Sequence, residues 1–183
     1  MPYFADNYSR LAYPLASGPV TGLFNAQLGA IHAVAAHFAV DERRAMVTMP
    51  TGSGKTAVLM MAPFVLRSER VLVITPSRMV REQIVEDFGG LITLRRVGAI
   101  PTDVRSPKVI EVKRQVRSAD DWEALRSSEV VVSTPNCVSP GYANIPPLPA
   151  DLFDLVLVDE AHHSSASTCG RAARKVIHSP LGK

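Results

Sequence analysis

The sequence predicts an α/β fold in which a parallel sheet carries helices on both faces. Two observations point there. Short apolar runs rich in β-branched residues recur at 45–49 (AMVTM), 71–75 (VLVIT), 130–134 (VVVST) and 155–159 (LVLVD). Stretches with helical spacing stand between them, as the crossover between parallel strands requires. Strands of such a sheet are buried on both faces and therefore read as near-continuous apolar runs.

The elements follow in order. Residues 1–22 are rich in Pro, Gly, Ser and Tyr without a period and predict an irregular arm, leaving 23–183 as one domain. A helix is expected over 25–39, where Leu28, Ile31, Ala35 and Phe38 recur at helical spacing. A strand at 45–49 leads through a glycine-rich loop into a helix reaching about Leu66, with Pro63 expected to kink or end it. After the strand at 71–75, Pro76 and Ser77 open a helix to about Phe88, and Gly89 and Gly90 serve as its stop signal. Residues 91–118 are ambiguous, with VIEV at 109–112 a candidate strand. A short helix at 120–127 precedes the strand at 130–134, and a proline-rich loop covers 135–150. The strand at 155–159 is followed by an expected helix from about Ser167 to Ile177.

Composition bounds what such a chain can be. With 183 residues, 46% hydrophobic and 20% charged, it can bury a core of its own, roughly 70% of its unfolded surface. Disordered, collagen-like and long coiled-coil chains are excluded, and 14 prolines argue against a helical bundle. Cys137 and Cys169 are too few for a disulfide scaffold and lack zinc-site spacing, so free thiols in a reducing compartment are expected. Residues 1–10 lack the pattern of a signal peptide. The longest apolar stretch, 57–66, is about half a membrane span. A cytoplasmic protein with no membrane partner is therefore expected. The net charge of +3 leans mildly towards polyanions. Between Arg95 and Arg117 stand Arg96, Arg105, Lys108, Lys113 and Arg114, opposed only by Asp103 and Glu111. This basic run reads either as a solvated face or as a polyanion surface.

Two motifs carry chemistry. The first is Met49-Pro50-Thr51-Gly52-Ser53-Gly54-Lys55-Thr56, between a strand and a helix. Glycines there let successive backbone N–H groups turn inward onto phosphate oxygens, and the helix N-terminus adds its positive dipole end. Lys55 would place its charge on β- and γ-phosphates, and the Thr56 hydroxyl would ligate Mg²⁺. Met49 stands where the general pattern has a glycine. The second motif is LVLVDEAHH at 155–163. Parallel strands bring their carboxyl ends to one edge, so Asp159 would face that Mg²⁺. Glu160 is placed to orient or deprotonate an attacking water. His162 and His163 could link the nucleotide to a second surface. They do not read as a metal site, because no third ligand is evident.

MPTGSGKT and DEAHH together resemble motifs I and II of superfamily 2 helicases and translocases. DEAHH resembles the branch that contains the helicase subunits of restriction enzymes. TPSRMVREQ at 75–83 resembles motif Ia, STPN at 133–136 resembles motif Ib, and Gln27 in AQLGAI resembles the adenine-reading glutamine upstream of motif I. The likeness covers roughly 23–165. It implies a P-loop NTPase of RecA-like fold, with ATP and Mg²⁺ as cofactors and hydrolysis coupled to nucleic acid, DNA favoured over RNA. It assigns catalysis to Lys55, Asp159, Glu160 and His162, and nucleotide binding to Gln27, Thr51, Gly52, Ser53, Gly54, Lys55 and Thr56. Thr56 and Asp159 would hold the metal, and Ser77, Arg78, Thr134 and Asn136 the nucleic acid. A glutamine amide can pair with adenine N6 and N7 together, and guanine would offer mismatched groups.

The resembling family continues with a strand carrying a Ser/Thr-Ala-Thr motif and with a second RecA-like lobe that supplies arginine fingers. Neither follows before Lys183. The lobe is therefore expected to be incomplete at its C-terminal end, which leaves open whether the last strand of the sheet is there. It is expected to need a second lobe as partner and to hydrolyse ATP weakly alone. The alternative reading is a non-catalytic module that binds nucleic acid or protein.

Overall fold

Strands that are apolar at every position need cover on both faces, and the chain supplies it. The computed structural model describes residues 2–50, 52–139, 144–159 and 175–179. In chain order the elements are α1 (Tyr3–Asp6), α2 (Asn25–Val40), β1 (Ala45–Met46), α3 (Lys55–Val65), β2 (Val71–Ile74), α4 (Arg78–Gly90), α5 (Ile92–Arg96), β3 (Val109–Glu111), α6 (Ala119–Ala124), β4 (Val130–Ser133), α7 (Pro135–Val138), β5 (Leu155–Asp159) and β6 (Lys175–Ser179). Among the described residues the six strands form one sheet in the order β1-β6-β5-β2-β4-β3, and every pairing is parallel. This is the α/β architecture expected of a RecA-like lobe.

The register makes alternate residues face opposite cores. Val71 stands opposite both Val130 and Leu155, and Leu72 opposite Val131 and Val156. Val71, Val73, Val130, Val132, Leu155 and Leu157 join the first core with Ile31, Phe64, Ile84 and Phe88 of the helices. Leu72, Ile74, Val131, Val156 and Val158 join the second with Trp122, Val138, Leu152 and Phe153.

The structure corrects the expectation at several places. Lys175–Ile177, expected at the end of a helix, is instead the start of β6. Its pattern has period two, because Val176 enters the second core and Ile177 the first. β6 lies between β1 and β5, so the sheet contains a strand after the acidic box. Residues 167–174 of that expected helix lie outside the described residues. The strand foreseen at 45–49 pairs only over Ala45–Met46. The glycine stop at 89–90 is displaced. Both glycines stay helical, and Leu91, at φ 50°, terminates α4 in the left-handed conformation. The ambiguous stretch 91–118 resolves into α5 and β3. The loop 135–150 opens with a helical turn, α7, which has Pro135 in its first turn.

The N-terminal arm is more ordered than its composition implies. Tyr3 and Phe4 of α1 are buried in the first core. Phe4 meets Phe64 edge-on at 4.9 Å and Tyr3 at 5.0 Å. The Tyr3 hydroxyl donates to the Arg105 carbonyl, and the Arg105 guanidinium lies 4.7 Å over the Tyr3 ring. Burial pushes the Tyr3 phenol up to about 12. A second tie joins α4 to β3. Arg81, its side chain 3% exposed, donates to Glu111 at 2.8 Å, and Lys113 contacts the other carboxylate oxygen at 3.1 Å. Burial alone would raise the Glu111 carboxyl, but Lys113 and Arg81 together hold it below its ordinary 4.5. No helix among the described residues is long and apolar enough to cross a membrane.

Two outcomes are expected. Phe4→Ala should lower unfolding stability in urea by about 3–5 kcal/mol, as for a core aromatic; an unchanged midpoint would separate the arm from the core. The Glu111 carboxyl is depressed in the folded state, so its contribution is present above the ordinary carboxylate range and lost as pH falls through the folded value. Urea stability measured against pH should therefore drop on the acid side, and Glu111→Gln should flatten that part of the profile.

Candidate functional site

Because every strand runs the same way, their carboxyl ends share one rim, where open parallel sheets bind ligands. The loop before α3 lies there after β1, Ser77 and Arg78 after β2, Thr134 and Asn136 after β4, and Asp159 ends β5.

The glycine-rich loop starts from Met49, which is buried and anchors it. Ser53 closes a turn, its N–H reaching the Pro50 carbonyl at 3.2 Å and its hydroxyl the same oxygen at 2.6 Å. Gly52 and Gly54 are left-handed, at φ 78° and 75°. Thr51 lies outside the described residues. Gly54 caps α3 without a side chain, so the first-turn amides of this 11-residue helix point into the loop together with its positive dipole end. Lys55 and Thr56 are the first residues of α3 and both are half-buried. Lys55 packs at the end of β5, sharing a cavity of about 20 Å³ with Met49, Leu157, Val158 and Ile177. β6 separates β1 from β5, so the loop strand and the Asp159 strand are two strand spacings apart, about 10 Å. Glu160, His162 and His163 lie outside the described residues.

Gln27 sits on the third residue of α2 and is 4% exposed. Its Oε1 accepts the Phe24 N–H at 2.7 Å, and its Nε2 donates to the Gly54 carbonyl at 2.9 Å. The residue expected to read a base is thus bonded to the glycine-rich loop itself. An adenine edge would have to take over both bonds.

Beside this pair opens a cavity of about 620 Å³. Phe24, Gln27 and Thr56 line one side, Val20 another, and Glu86 of α4 and Arg96 of α5 the far wall. Asp87 fixes that wall by accepting the Thr93 N–H and hydroxyl, both at 2.7 Å. The far wall has no signal in the sequence, where Glu86 is one acid among several on the exposed face of an amphipathic helix and no motif marks it.

The four candidates for nucleic-acid contact divide into two kinds. Ser77 caps α4, its hydroxyl accepting the Val80 N–H at 3.3 Å. Thr134 is buried, and its hydroxyl reaches the Cys137 sulfur at 3.5 Å. Arg78 and Asn136 are exposed on the rim.

The geometry has counterparts. The family model described as type III restriction enzyme, res subunit, matches residues 21–180. Among solved structures, the UvsW helicase from Bacteriophage T4 is 17% identical with a TM-score of 0.58, covering 96% of this chain and 58% of its own. A hypothetical ATP-dependent RNA helicase from Sulfolobus tokodaii is 20% identical with a TM-score of 0.54, covering 100% of this chain and 51% of its own. A nuclease-deletion mutant of the type ISP restriction-modification enzyme LlaGI, in complex with a DNA substrate mimic, is 18% identical with a TM-score of 0.54, covering 88% and 18%. These likenesses establish a shared fold, and the chain spans less than two thirds of each of these structures. Among curated proteins no sequence matches the chain.

Two glycines separate the roles of backbone and space. A Cβ on Gly54 would sit 2.1 Å from Gln27 Nε2 on a left-handed backbone, whereas one on Gly29, in the exposed middle of α2, meets nothing within 4 Å. Gly54→Ala should destabilise by about 1–3 kcal/mol, and Gly29→Ala should stabilise by about 0.5–1 kcal/mol. Urea titration of both variants checks this, and equal effects would show that the Gln27–Gly54 contact does not restrain the loop.

Proposed function

Since the chain belongs to the type III restriction enzyme, res subunit, family, we propose that it is the ATP-binding lobe of a nucleic-acid-dependent ATPase that hydrolyses ATP within a larger assembly. The observation that carries the reading is the left-handed Gly52–Gly54 loop running into a helix N-terminus with no side-chain cap, on the same sheet rim as Asp159. Backbone N–H groups of that loop bind phosphate oxygens, and Lys55 adds a positive charge. The adenosine part enters the cavity of about 620 Å³, a size usual for small-molecule sites. Phe24, 58% exposed on its wall, offers a ring face to the base. Gln27 pairs with adenine after exchanging its backbone partners, which favours ATP over GTP.

Magnesium suits the hard oxygen donors present, the Thr56 hydroxyl and the Asp159 carboxylate, and when bound it neutralises phosphate charge. Glu160 orients the water and takes its proton. His162 passes the state of the nucleotide to a neighbouring surface. The nucleic-acid backbone runs over Arg78 and Asn136, with Ser77 and Thr134 shaping the turns that present them. DNA is favoured over RNA because the matched family is one of restriction enzymes. A second lobe completes the site, since an arginine finger is worth about 10³–10⁵ in rate.

Calorimetric titration tests this. ATP–Mg²⁺ should bind more tightly than GTP–Mg²⁺, Lys55→Ala should abolish binding, and Glu160→Gln should keep binding while removing turnover in the two-lobed protein. A Lys55→Ala chain that binds ATP like the unsubstituted one would refute the proposal.

A further inference from the structure

The basic run that was ambiguous in the sequence is divided by β3. Arg105 and Lys108 precede the strand and lie at the opposite end of the sheet from the glycine loop. There Glu129 pairs with the Arg105 guanidinium at 3.0 Å and accepts the backbone N–H of Lys108. Lys113, Arg114 and Arg117 follow the strand and are exposed on the glycine-loop rim. The segment that carries them is pinned. The Val112 N–H extends the ladder to the Val132 carbonyl at 2.9 Å, and the Val116 N–H bonds the Cys137 carbonyl at 3.0 Å. Val112 and Val116 are buried in the second core, so the intervening and following side chains project outward.

The acids nearby are largely occupied. Glu111 is held by Arg81 and Lys113, and Asp121 accepts the Arg117 and Ser118 N–H groups. Asp120 beside it is exposed. Among the described residues Arg114 makes no ion pair. In sheet order β2-β4-β3 the rim therefore presents Arg78, then Asn136, then Lys113, Arg114 and Arg117. That row crosses two strand spacings, about 10 Å, or about three steps of one nucleic-acid strand at 3.4 Å each.

We infer that Lys113, Arg114 and Arg117 form a phosphate-binding extension of the nucleic-acid track, which continues it past Asn136 to the edge strand. The inference rests on the nucleic-acid reading above and names the surface that supplies most of the charge. The ligand is the phosphodiester backbone of either DNA or RNA, because fixed cations without stacking rings hold charge and do not read bases.

The test is fluorescence anisotropy of the chain with single-stranded DNA, duplex DNA and single-stranded RNA, each titrated across salt concentrations. Each lost phosphate contact lowers the slope of log K against log salt by about 0.7 on single strands and 0.9 on duplex DNA. The variant Lys113→Ala/Arg114→Ala/Arg117→Ala should thus lose about 2 units of slope on single strands. A charge-matched variant from the opposite end of the sheet, Arg43→Ala/Arg44→Ala/Lys108→Ala, whose first two residues precede β1 and whose third precedes β3, should keep its slope. The charge-preserving Lys113→Arg/Arg114→Lys/Arg117→Lys should bind like the unsubstituted chain. ATP–Mg²⁺ titration of the same proteins should be unchanged, which excludes misfolding as the cause. An unaltered slope in the first variant, or equal losses in both alanine variants, overturns the extension. Absence of binding to every probe by the unsubstituted chain also overturns it, while the ATP titration separately decides the ATPase reading. A larger slope loss on one probe identifies which nucleic acid follows the rim.

Discussion

Parallel pairing of β2 with both β4 and β5 is the constraint on which the rest of the molecule depends. It forces each of the three central strands to bury both faces, which separates two cores by one sheet. It also requires crossover connections rather than tight hairpins, so the carboxyl ends of the described strands emerge together. Asp159, Arg78 and Asn136 are distant in sequence and come from three different strands. They share a rim only because no strand in the ladder is reversed. A single antiparallel insertion among them would carry its carboxyl end to the Glu129 side.

The rim is stiff because the apolar interior is tied at its margins by a few polar contacts. The Arg81–Glu111 pair joins the edge strand to α4 across a buried gap. Asp87 fixes the start of α5, and Tyr3 ties the N-terminal turn to the segment that enters β3. Gln27 acts differently, since it joins the start of α2 to the glycine loop. Through one amide, the entry of α2 and the carbonyl of a left-handed glycine share a position. Movement at the entry of α2 therefore reaches the glycine loop without an intermediary.

How much of this could be read in advance follows from the range of each interaction. GSGKT is local, since its glycines and its helix start are neighbours in sequence, and the structure places them as a turn running into α3. The central strands were equally legible, because their apolar runs leave no face for water. β6 was not. Its five residues mix Lys, His and Ser with Val and Ile, and only the partners on each side make them a strand. Tyr3 and Phe4 read as part of a Pro- and Gly-rich arm because nothing local reveals that Phe64 waits for them. The far wall of the cavity depends on how α4 meets α5, and Leu91 sets that angle with a left-handed turn that leucine seldom adopts. Gln27 was found by resemblance, but its bond to Gly54 spans 27 positions and has no local signature.

The place of β6 also bears on the order in which the sheet assembles. β1 pairs with β6 and with no other strand among the described residues. The strand that leads into the glycine loop is complete once residue 46 is made, yet among the described residues it joins the ladder only through Ile177 and His178. A chain emerging during synthesis can assemble β2 to β5 while β1 still lacks a strand partner. Closing a gap of that length in sequence is slow compared with local contacts. The glycine loop is thus the last rim segment whose strand joins the ladder, and it is fixed only when β6 has slid between the two strands that flank it.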